Sequence, residues 1–372
     1  MATTYLTRAQ VAGNRQTFTQ SFWVKLSNTT DQGLISSFND STSYSYCYID
    51  SSTQQLQLQW KSGSVVAQLN TNRKFRDTSG WYNIIYAVDT TQSTDSDRIK
   101  LYINGVQETS FSTATYPGQI LSEVNDNGTT QYIGSVDGTQ QYVNGSMSYV
   151  AQIDGTQELP GIFGETDSTT GEWKIKTDIT PSVAWGNNGF LILKNGNSLT
   201  DESSNSNNFT LAGGTLTNTE DCPDNNFATW NGLIGYTDTL TNGNTTVTRA
   251  TGSWRSAIAS LPLPSTGKFY WEVKLSTGTK ARIGIADDSF DGSIDTQNRN
   301  LTSELGEQTN GISYGDNGNA NINTSQTVGY GSAITTSNIL GVAVDMTNMK
   351  LYYSVDGVFQ NSGDPTSGAT GT

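Results

Sequence analysis

Arg98–Gln107 reads RIKLYINGVQ, and Met349–Gln360 reads MKLYYSVDGVFQ. Each is an alternating apolar/polar strand, an Asn-Gly or Asp-Gly pair and a returning strand. That is the strongest short-range hairpin signal a sequence carries, because both turn residues must adopt positive φ. An aspartate precedes each hairpin, Asp89 in AVDTT and Asp345 in AVDMT. One motif in each half predicts two tandem β-sandwich modules.

The composition agrees. The 372 residues suffice for two domains. Charged residues are 15% of the chain, aromatic residues 10%, and Gly numbers 38 against 7 Pro. Many Thr, Tyr, Val and Gly favour strands and turns, and the aromatic content argues against disorder. No stretch of a dozen residues keeps a helical period without Gly, Asn or β-branched interruptions.

The net charge of −14 opposes nucleic-acid binding, which needs a basic face for the phosphates. There is no histidine, which removes Ser-His-Asp and Cys-His catalysis and histidine-ligated zinc. The two cysteines, Cys47 and Cys222, are far apart. Cys47 alternates with Tyr44, Tyr46 and Tyr48 and is read as a buried small hydrophobe, and the chain as not built on disulfides. The first ten residues lack the apolar core of a secretory signal, and no run of about 18 apolar residues offers a membrane span. These features leave two expectations, a cytosolic protein or one made in a cytoplasm and released by lysis, as virion proteins are, and the second is preferred.

Predicted strands in a first module, residues 1–157, are Gln20–Leu26, Gly33–Asn39, Tyr44–Asp50, Gln55–Lys61, Val65–Asn70, Trp81–Asp89, Arg98–Ile103, Val106–Phe111, Thr130–Ile133 and Ser146–Gln152. Their spacing is that of a sandwich, roughly 8–12 residues. The order FTQSFWVKL, FRDTSGWYNIIYAVDTT, RIKLYINGVQ, YIGSVDGTQQYVNGSMSYVAQIDG resembles the concanavalin A-like, laminin-G/pentraxin type of jelly roll. Residues 158–235 are read as an irregular connector with short strands. Their segments LPGIFGETDSTTGEW, WGNNGFLIL and DCPDNNFATW resemble a connector of tailed-phage structural proteins, marine phages especially. Residues 236–372 resemble a SPRY (B30.2-type) sandwich, through Trp271–Glu272, Ile283–Gly284, Gly341–Asp345 and Tyr352–Gly357. The strands there are Gly267–Leu275, Ala281–Asp287, Gly311–Gly318, Ile339–Met346 and Lys350–Phe359. The closing strands of that pattern are not found after Gly363; the expectation is a module completed by another chain or, preferred here, part of a longer polypeptide.

Jelly rolls include glycoside hydrolases, which need two carboxyl groups about 5–10 Å apart. Their E-x-D-x-x-E signature begins at Glu165-Thr166-Asp167 but meets Thr170 where the second Glu belongs; a loop capping a turn is the reading here. Calcium takes roughly six to eight loop oxygens, and two acidic groups suggest it: Asp89, Asp95 and Asp97, and Asp287, Asp288, Asp291 and Asp295, with Asp287, Asp288 and Asp291 in DDSFDG the better set. No cofactor is required by this reading, and calcium is the one the second group would hold. For glycans, Trp60, Tyr116, Tyr142, Trp254 and Tyr330 sit near predicted turns and could form aromatic rim platforms, whereas Trp23, Trp81 and Trp271 sit mid-strand and belong to the core.

The expectation is therefore an all-β protein of two jelly-roll-like β-sandwiches in tandem, joined by an irregular connector. Its expected role is a non-enzymatic virion structural or appendage protein, a fibre or capsid-decorating element binding host-surface glycans. Its partners would be other virion proteins and further copies of itself, for instance in a trimer. The alternatives are a purely architectural virion cement and a glycan depolymerase.

Overall fold

The computed structural model describes residues 3–179, 183–233, 239–248, 256–277, 280–287, 305–306 and 310–367. The chain divides into two compact units, Met1–Leu233 with Thr241–Thr245, and Ile234–Leu240 with Thr246–Thr372. Every regular element of length is a strand, as the composition predicts.

The first unit contains β1 (Tyr5–Ala9), β2 (Thr17–Leu26), β3 (Gln32–Asp40), β4 (Ser43–Ile49), β5 (Gln55–Ser62), β6 (Ser64–Lys74), β7 (Tyr82–Asp89) and β8 (Ile99–Ile103). After the Asn104-Gly105 turn come β9 (Val106–Glu108), β10 (Phe111–Thr115), β11 (Thr130–Ile133), β12 (Gly145–Asp154), β13 (Gly164–Thr166), β14 (Trp173–Ile175), β15 (Phe190–Ile192) and β16 (Thr210–Gly213). One sheet runs β10-β6-β5-β4-β3-β11-β1-β16 and the other β15-β12-β2-β7-β8-β9. The predicted strand Val106–Phe111 is two strands: β9 ends the six-stranded sheet, and β10 begins the eight-stranded one.

Alternation along each strand sends one set of side chains inward. Ile35, Cys47, Ile49, Leu56, Leu58, Trp60 and Leu69 from one sheet meet Phe18, Phe22, Val24, Ile84, Val88 and Leu101 from the other in a single core. Cys47 is a free, buried thiol, and burial pushes its pKa up, as befits a small hydrophobe.

The six-stranded sheet is covered on its second face as well. Outward Ile85, Ala87, Tyr102, Ala151 and Ile153 pack under Phe163, Ile179 and Trp185, and Trp23 and Trp81 pack with Ile175 and Trp173. The expected connector thus departs from the irregular linker envisaged. Its strand β15 extends the six-stranded sheet beside β12, β16 extends the other beside β1, and the rest forms a third layer. The near-continuous apolar run in β7 (YNIIYAVD) has this cause, because a strand covered on both faces loses polar alternation.

The short strands β17 (Thr239–Thr241) and β18 (Thr246–Thr248) pair as a two-stranded ribbon. The second unit has β19 (Lys268–Lys274), β20 (Arg282–Ala286), β21 (Gly311–Gly315), β22 (Ala320–Ile322), β23 (Ser325–Thr327), β24 (Ile339–Asp345), β25 (Lys350–Val355) and β26 (Val358–Phe359). Two sheets, β19-β24-β25-β26 and β20-β21-β22-β23, enclose a core around Tyr314, Tyr330, Val342 and Tyr353.

The repeated motif is the same device in both units. The order β2-β7-β8-β9 is matched by β19-β24-β25-β26. Asn104 and Gly105 have φ of 48° and 76°, and Asp356 and Gly357 have 49° and 80°. Asn104 Oδ1 accepts from the Asn83 amide at 2.7 Å, and Asp356 Oδ1 from the Ile339 amide at 2.8 Å. Asp89 and Asp345 each end the preceding strand by accepting from turn residues, Thr91 and Asn348. The two glycines differ in surroundings. A Cβ on Gly105 would lie 2.3 Å from the Trp173 ring, whereas one on Gly357 meets nothing within 4 Å. Gly105→Ala is therefore expected to cost clearly more than Gly357→Ala, whose penalty is the backbone term of about 1 kcal/mol. Denaturant unfolding of the two variants checks the order.

Burial raises the Tyr86 and Tyr353 hydroxyls well above the usual tyrosine pKa. The unfolded chain releases these protons above about pH 10 while the folded chain holds them. Their stabilisation is complete below that pH and is lost as pH rises beyond it. A base titration followed by tyrosinate absorbance should show a late fraction of tyrosines ionising only together with unfolding.

Candidate functional site

The outward face of the eight-stranded sheet is built by register. Tyr44, Tyr46 and Tyr48 on β4 point away from the core because Ser45, Cys47 and Ile49 point into it. On β5 the sequence QLQLQW places Leu56, Leu58 and Trp60 inward and leaves Gln57 and Gln59 outward. On β6, Ala67 and Leu69 are inward, Gln68 and Asn70 outward. The pairing aligns these in rows across the strands. One row is Tyr46, Gln59, Gln68 and Thr115; the next is Tyr48, Gln57, Asn70 and Thr113; a third is Phe38, Tyr44 and Lys61.

The aromatic side is preorganised. Phe38 and Tyr44 stack at 5.9 Å, Tyr44 and Tyr46 at 5.0 Å, and Tyr48 meets Tyr46 edge-on at 5.1 Å. Desolvation raises the Tyr44 and Tyr46 pKa values, so both are neutral donors at ordinary pH. Both hydroxyls donate to Gln59 Oε1, at 2.8 and 3.0 Å. With its oxygen occupied, the Gln59 amide turns its N–H groups away from the tyrosines. Gln68 Nε2 donates to Asn70 Oδ1 at 3.2 Å, which leaves the Gln68 oxygen and the Asn70 N–H groups for another molecule. Gln57 makes no side-chain hydrogen bond among the described residues.

The segment 134–142 folds across β3 and walls the array on one side. Ser36 Oγ donates to the Val136 carbonyl at 2.5 Å, and the Gly33 amide to the Gln141 carbonyl at 2.7 Å. The far side ends at the edge strand β10. Lys61 brings the array's cation, and it is engaged: Nζ donates to the Ser41 carbonyl at 2.8 Å and lies 5.8 Å from the centre of the Tyr44 ring.

Asp40 and Asp50 stand at the two ends of β4, and Asp137 lies in the walling segment, where it accepts from Thr139 and Gln140. Asp40 accepts from Thr42 in the β3–β4 turn. Asp50 accepts from Ser52, Thr53 and Tyr48 at the other end of β4. Hydrogen bonds hold both below the usual carboxylate range, Asp50 at about 2, with Ser52 the main cause there and Thr42 at Asp40. The seven residues of β4 that separate them span about 23 Å, and a hydrolytic pair needs about 5–10 Å.

The residues expected at aromatic rims fall elsewhere. Trp60 is inward and 3% exposed, stacked on Phe18 at 6.2 Å, because β5 alternation places it with Leu56 and Leu58. Tyr330 is buried against Tyr314 and Tyr353 in the second core. Tyr116 is half-buried and packs on the main core. Tyr142 is half-buried in the walling segment, its hydroxyl donating to the Gly138 carbonyl at 2.8 Å. Trp254 lies outside the described residues.

The acidic groups expected for calcium fare similarly. Asp288, Asp291 and Asp295 lie outside the described residues; Asp287 is exposed at the end of β20. Asp95 pairs with Arg98, Asp97 with Lys100 at 3.3 Å, and Asp89 caps its turn. Among the described residues no three acidic or cysteine side chains gather as a metal site would require. Asp167 caps the β13–β14 turn and binds Lys174 at 2.8 Å, as the turn reading expects. The array itself went unread, although its signal, Tyr44-x-Tyr46-x-Tyr48 beside QLQLQW, is plain alternation.

Residues 2–156 match the family model described as the concanavalin A-like lectin/glucanases superfamily, and residues 268–371 match that of the SPRY domain. No curated protein matches the chain. Among solved structures, the heptameric SAP-like pentraxin of Limulus polyphemus is 16% identical, with 40% of this chain and 69% of that chain covered at a TM-score of 0.30. The LG4-5 domains of the mouse laminin α1 chain are 9% identical over 96% of this chain and 74% of that one, at 0.35. The CBM40 of the Ruminococcus gnavus IT-sialidase, bound to α2,3 sialyllactose, is 13% identical over 43% and 94%, at 0.29.

Proposed function

We propose that this protein is a non-enzymatic glycan-binding protein whose first unit holds its ligand on the outer face of the eight-stranded sheet. The observation that carries this reading is the ordered array of outward amides beside stacked tyrosines. Sugars offer vicinal hydroxyls, each of which both gives and takes a hydrogen bond, and a site of preplaced amide donors and acceptors complements them. The match of this region to the concanavalin A-like lectin/glucanases family model supports its carbohydrate recognition. The low pKa values and wide separation of Asp40 and Asp50 favour binding over hydrolysis here, because an acid catalyst needs a raised pKa. The wider role we propose is a virion structural or appendage protein that attaches to host-surface glycans, with many copies turning weak contacts into firm ones. That setting rests on the phage-like texture of residues 158–235.

A glycan array and whole-cell binding assay of the purified chain, with and without EDTA, tests the reading. Saturable binding that survives EDTA and is lost in Tyr46→Ala supports it. Absence of binding, or binding that Tyr46→Ala leaves intact, sinks it. A purely architectural role is the second reading, favoured by the uncharged edge strand β10 (FSTAT), which offers a pairing surface to a neighbour.

A further inference from the structure

Resting on the glycan-binding reading, we infer that this face selects an uncharged, extended oligosaccharide of about three sugar rings lying across the strands, and rejects anionic glycans. Three observations converge. The first is charge. Phe38, Tyr44, Tyr46, Gln57, Gln59, Gln68, Asn70, Thr113 and Thr115 carry none, and the one cation, Lys61, is held by the Ser41 carbonyl and the Tyr44 ring. A carboxylated or sulfated chain would find no free cation on the array and would approach a chain of net charge −14.

The second is polarity. Gln59 is fixed as an outward donor by the two tyrosine hydroxyls, while Gln68 keeps its oxygen as an acceptor and Asn70 its N–H groups as donors. Donor beside acceptor on adjacent strands matches neighbouring hydroxyls, each of which both gives and takes a hydrogen bond. Tyr44, stacked between Phe38 and Tyr46, has its ring faces occupied by other side chains. Recognition therefore runs through amides and hydroxyls, which discriminates by hydroxyl pattern.

The third is length. From Tyr46 to Thr115 the row crosses three inter-strand steps of about 4.8 Å, about 14 Å in all. The wall at 134–142 stops a chain on one side, and the β10 edge leaves it open on the other. A monosaccharide would meet a fraction of these groups, and rings past the third would meet none.

Calorimetric titration of the full chain with neutral series (xylo-, manno-, gluco- and galacto-oligosaccharides, one to six units) and with polygalacturonate and heparin tests this. In at least one neutral series, affinity should rise about fivefold per ring up to three rings and then level, as one net hydrogen bond per ring implies. It should change by less than about twofold with added salt and be lost in Gln59→Ala. Gln57→Ala, at a side chain with no protein partner to lose, should weaken it with the melting temperature unchanged. Salt-sensitive binding of polygalacturonate or heparin that Tyr46→Ala abolishes would overturn the neutral class while leaving the face as the glycan site. A monosaccharide bound as tightly as its trisaccharide would overturn the extended mode. No glycan binding at all, or a Tyr46-dependent dimer instead, would overturn the face reading itself.

Discussion

Replacing Lys25 with methionine is expected to lower the stability of the first unit by about 3–5 kcal/mol. Lys25 points from β2 to the outer face of the six-stranded sheet, under the third layer. Its Nζ reaches Asp221 Oδ2 at 2.7 Å, Asn226 Oδ1 at 2.8 Å and the Phe227 carbonyl at 2.7 Å. Asp221 Oδ1 also accepts from Trp81 Nε1 at 3.0 Å and the Phe227 amide at 3.2 Å. The side chains are 4% and 7% exposed, so removing the ammonium leaves a buried carboxylate short of its counter-charge. Such a loss is dominated by the stranded partner and exceeds the net worth of the pair. Lys25→Met with Asp221→Leu should therefore cost less than the sum of the single changes. Denaturant unfolding gives the energies, and limited proteolysis near residues 219–230 should quicken in Lys25→Met. A single variant within about 1 kcal/mol of the parent protein would show that the layer is held by apolar contacts alone.

Asp154→Ala is expected to be as damaging, about 3–5 kcal/mol. Asp154 ends β12 at 6% exposure and accepts from the Asn14 amide at 2.7 Å, Asn125 Nδ2 at 3.0 Å and the Asn188 amide at 3.0 Å. Alanine leaves the buried Asn188 amide and a buried Asn125 side-chain N–H without an acceptor, each costing about 1–3 kcal/mol before relaxation, and frees the part-buried Asn14 amide as well. The loss would propagate. Asn125 Oδ1 accepts from Gln152 at 2.8 Å, Gln152 Oε1 accepts from Gln131 at 2.6 Å and from Gln20, and Gln131 Oε1 accepts from Arg8 at 3.0 Å. Burial lowers the Arg8 pKa to about 10 against the pull of Asp201 and Asp154, and its guanidinium lies 5.5 Å from both the Phe190 and Phe209 ring centres. This network lies on the inward face of β12 and ties β1 and β11 to it across the space between the two sheets, and its Asp154 and Gln152 also hold Asn188. Asp154→Asn keeps one acceptor oxygen but points an N–H group at a donor, and should cost roughly half as much. Hydrogen exchange of the Asn14, Asn125 and Asn188 amides should accelerate in step.

Much of this fold was legible in local pattern. The two Asn-Gly and Asp-Gly hairpins set β8–β9 and β25–β26, since positive φ at two consecutive residues leaves few alternatives. The integration of residues 158–233 was not, because β15 and β16 are three and four residues long and their partners lie far away in sequence. The clue was indirect: FLI and YNIIYAVD are apolar on both faces, which implies cover on both. The rim aromatics went astray where nearness to a turn outweighed alternation. Trp60 follows two inward leucines at the right period, and the period decides its direction. The amide array needed register between β4, β5, β6 and β10, which a single sequence does not supply.

The measurement that tests the glycan face most directly is a side-chain amide NMR titration of the first unit's Gln and Asn NH₂ groups within the full chain, using the best neutral oligosaccharide from the calorimetric series. The account predicts saturable shifts at Gln57, Gln59, Gln68 and Asn70, with the buried amides of Gln131, Gln152 and Asn125 still. Shifts confined to the turns, to the second unit or to no amide on this face would contradict it.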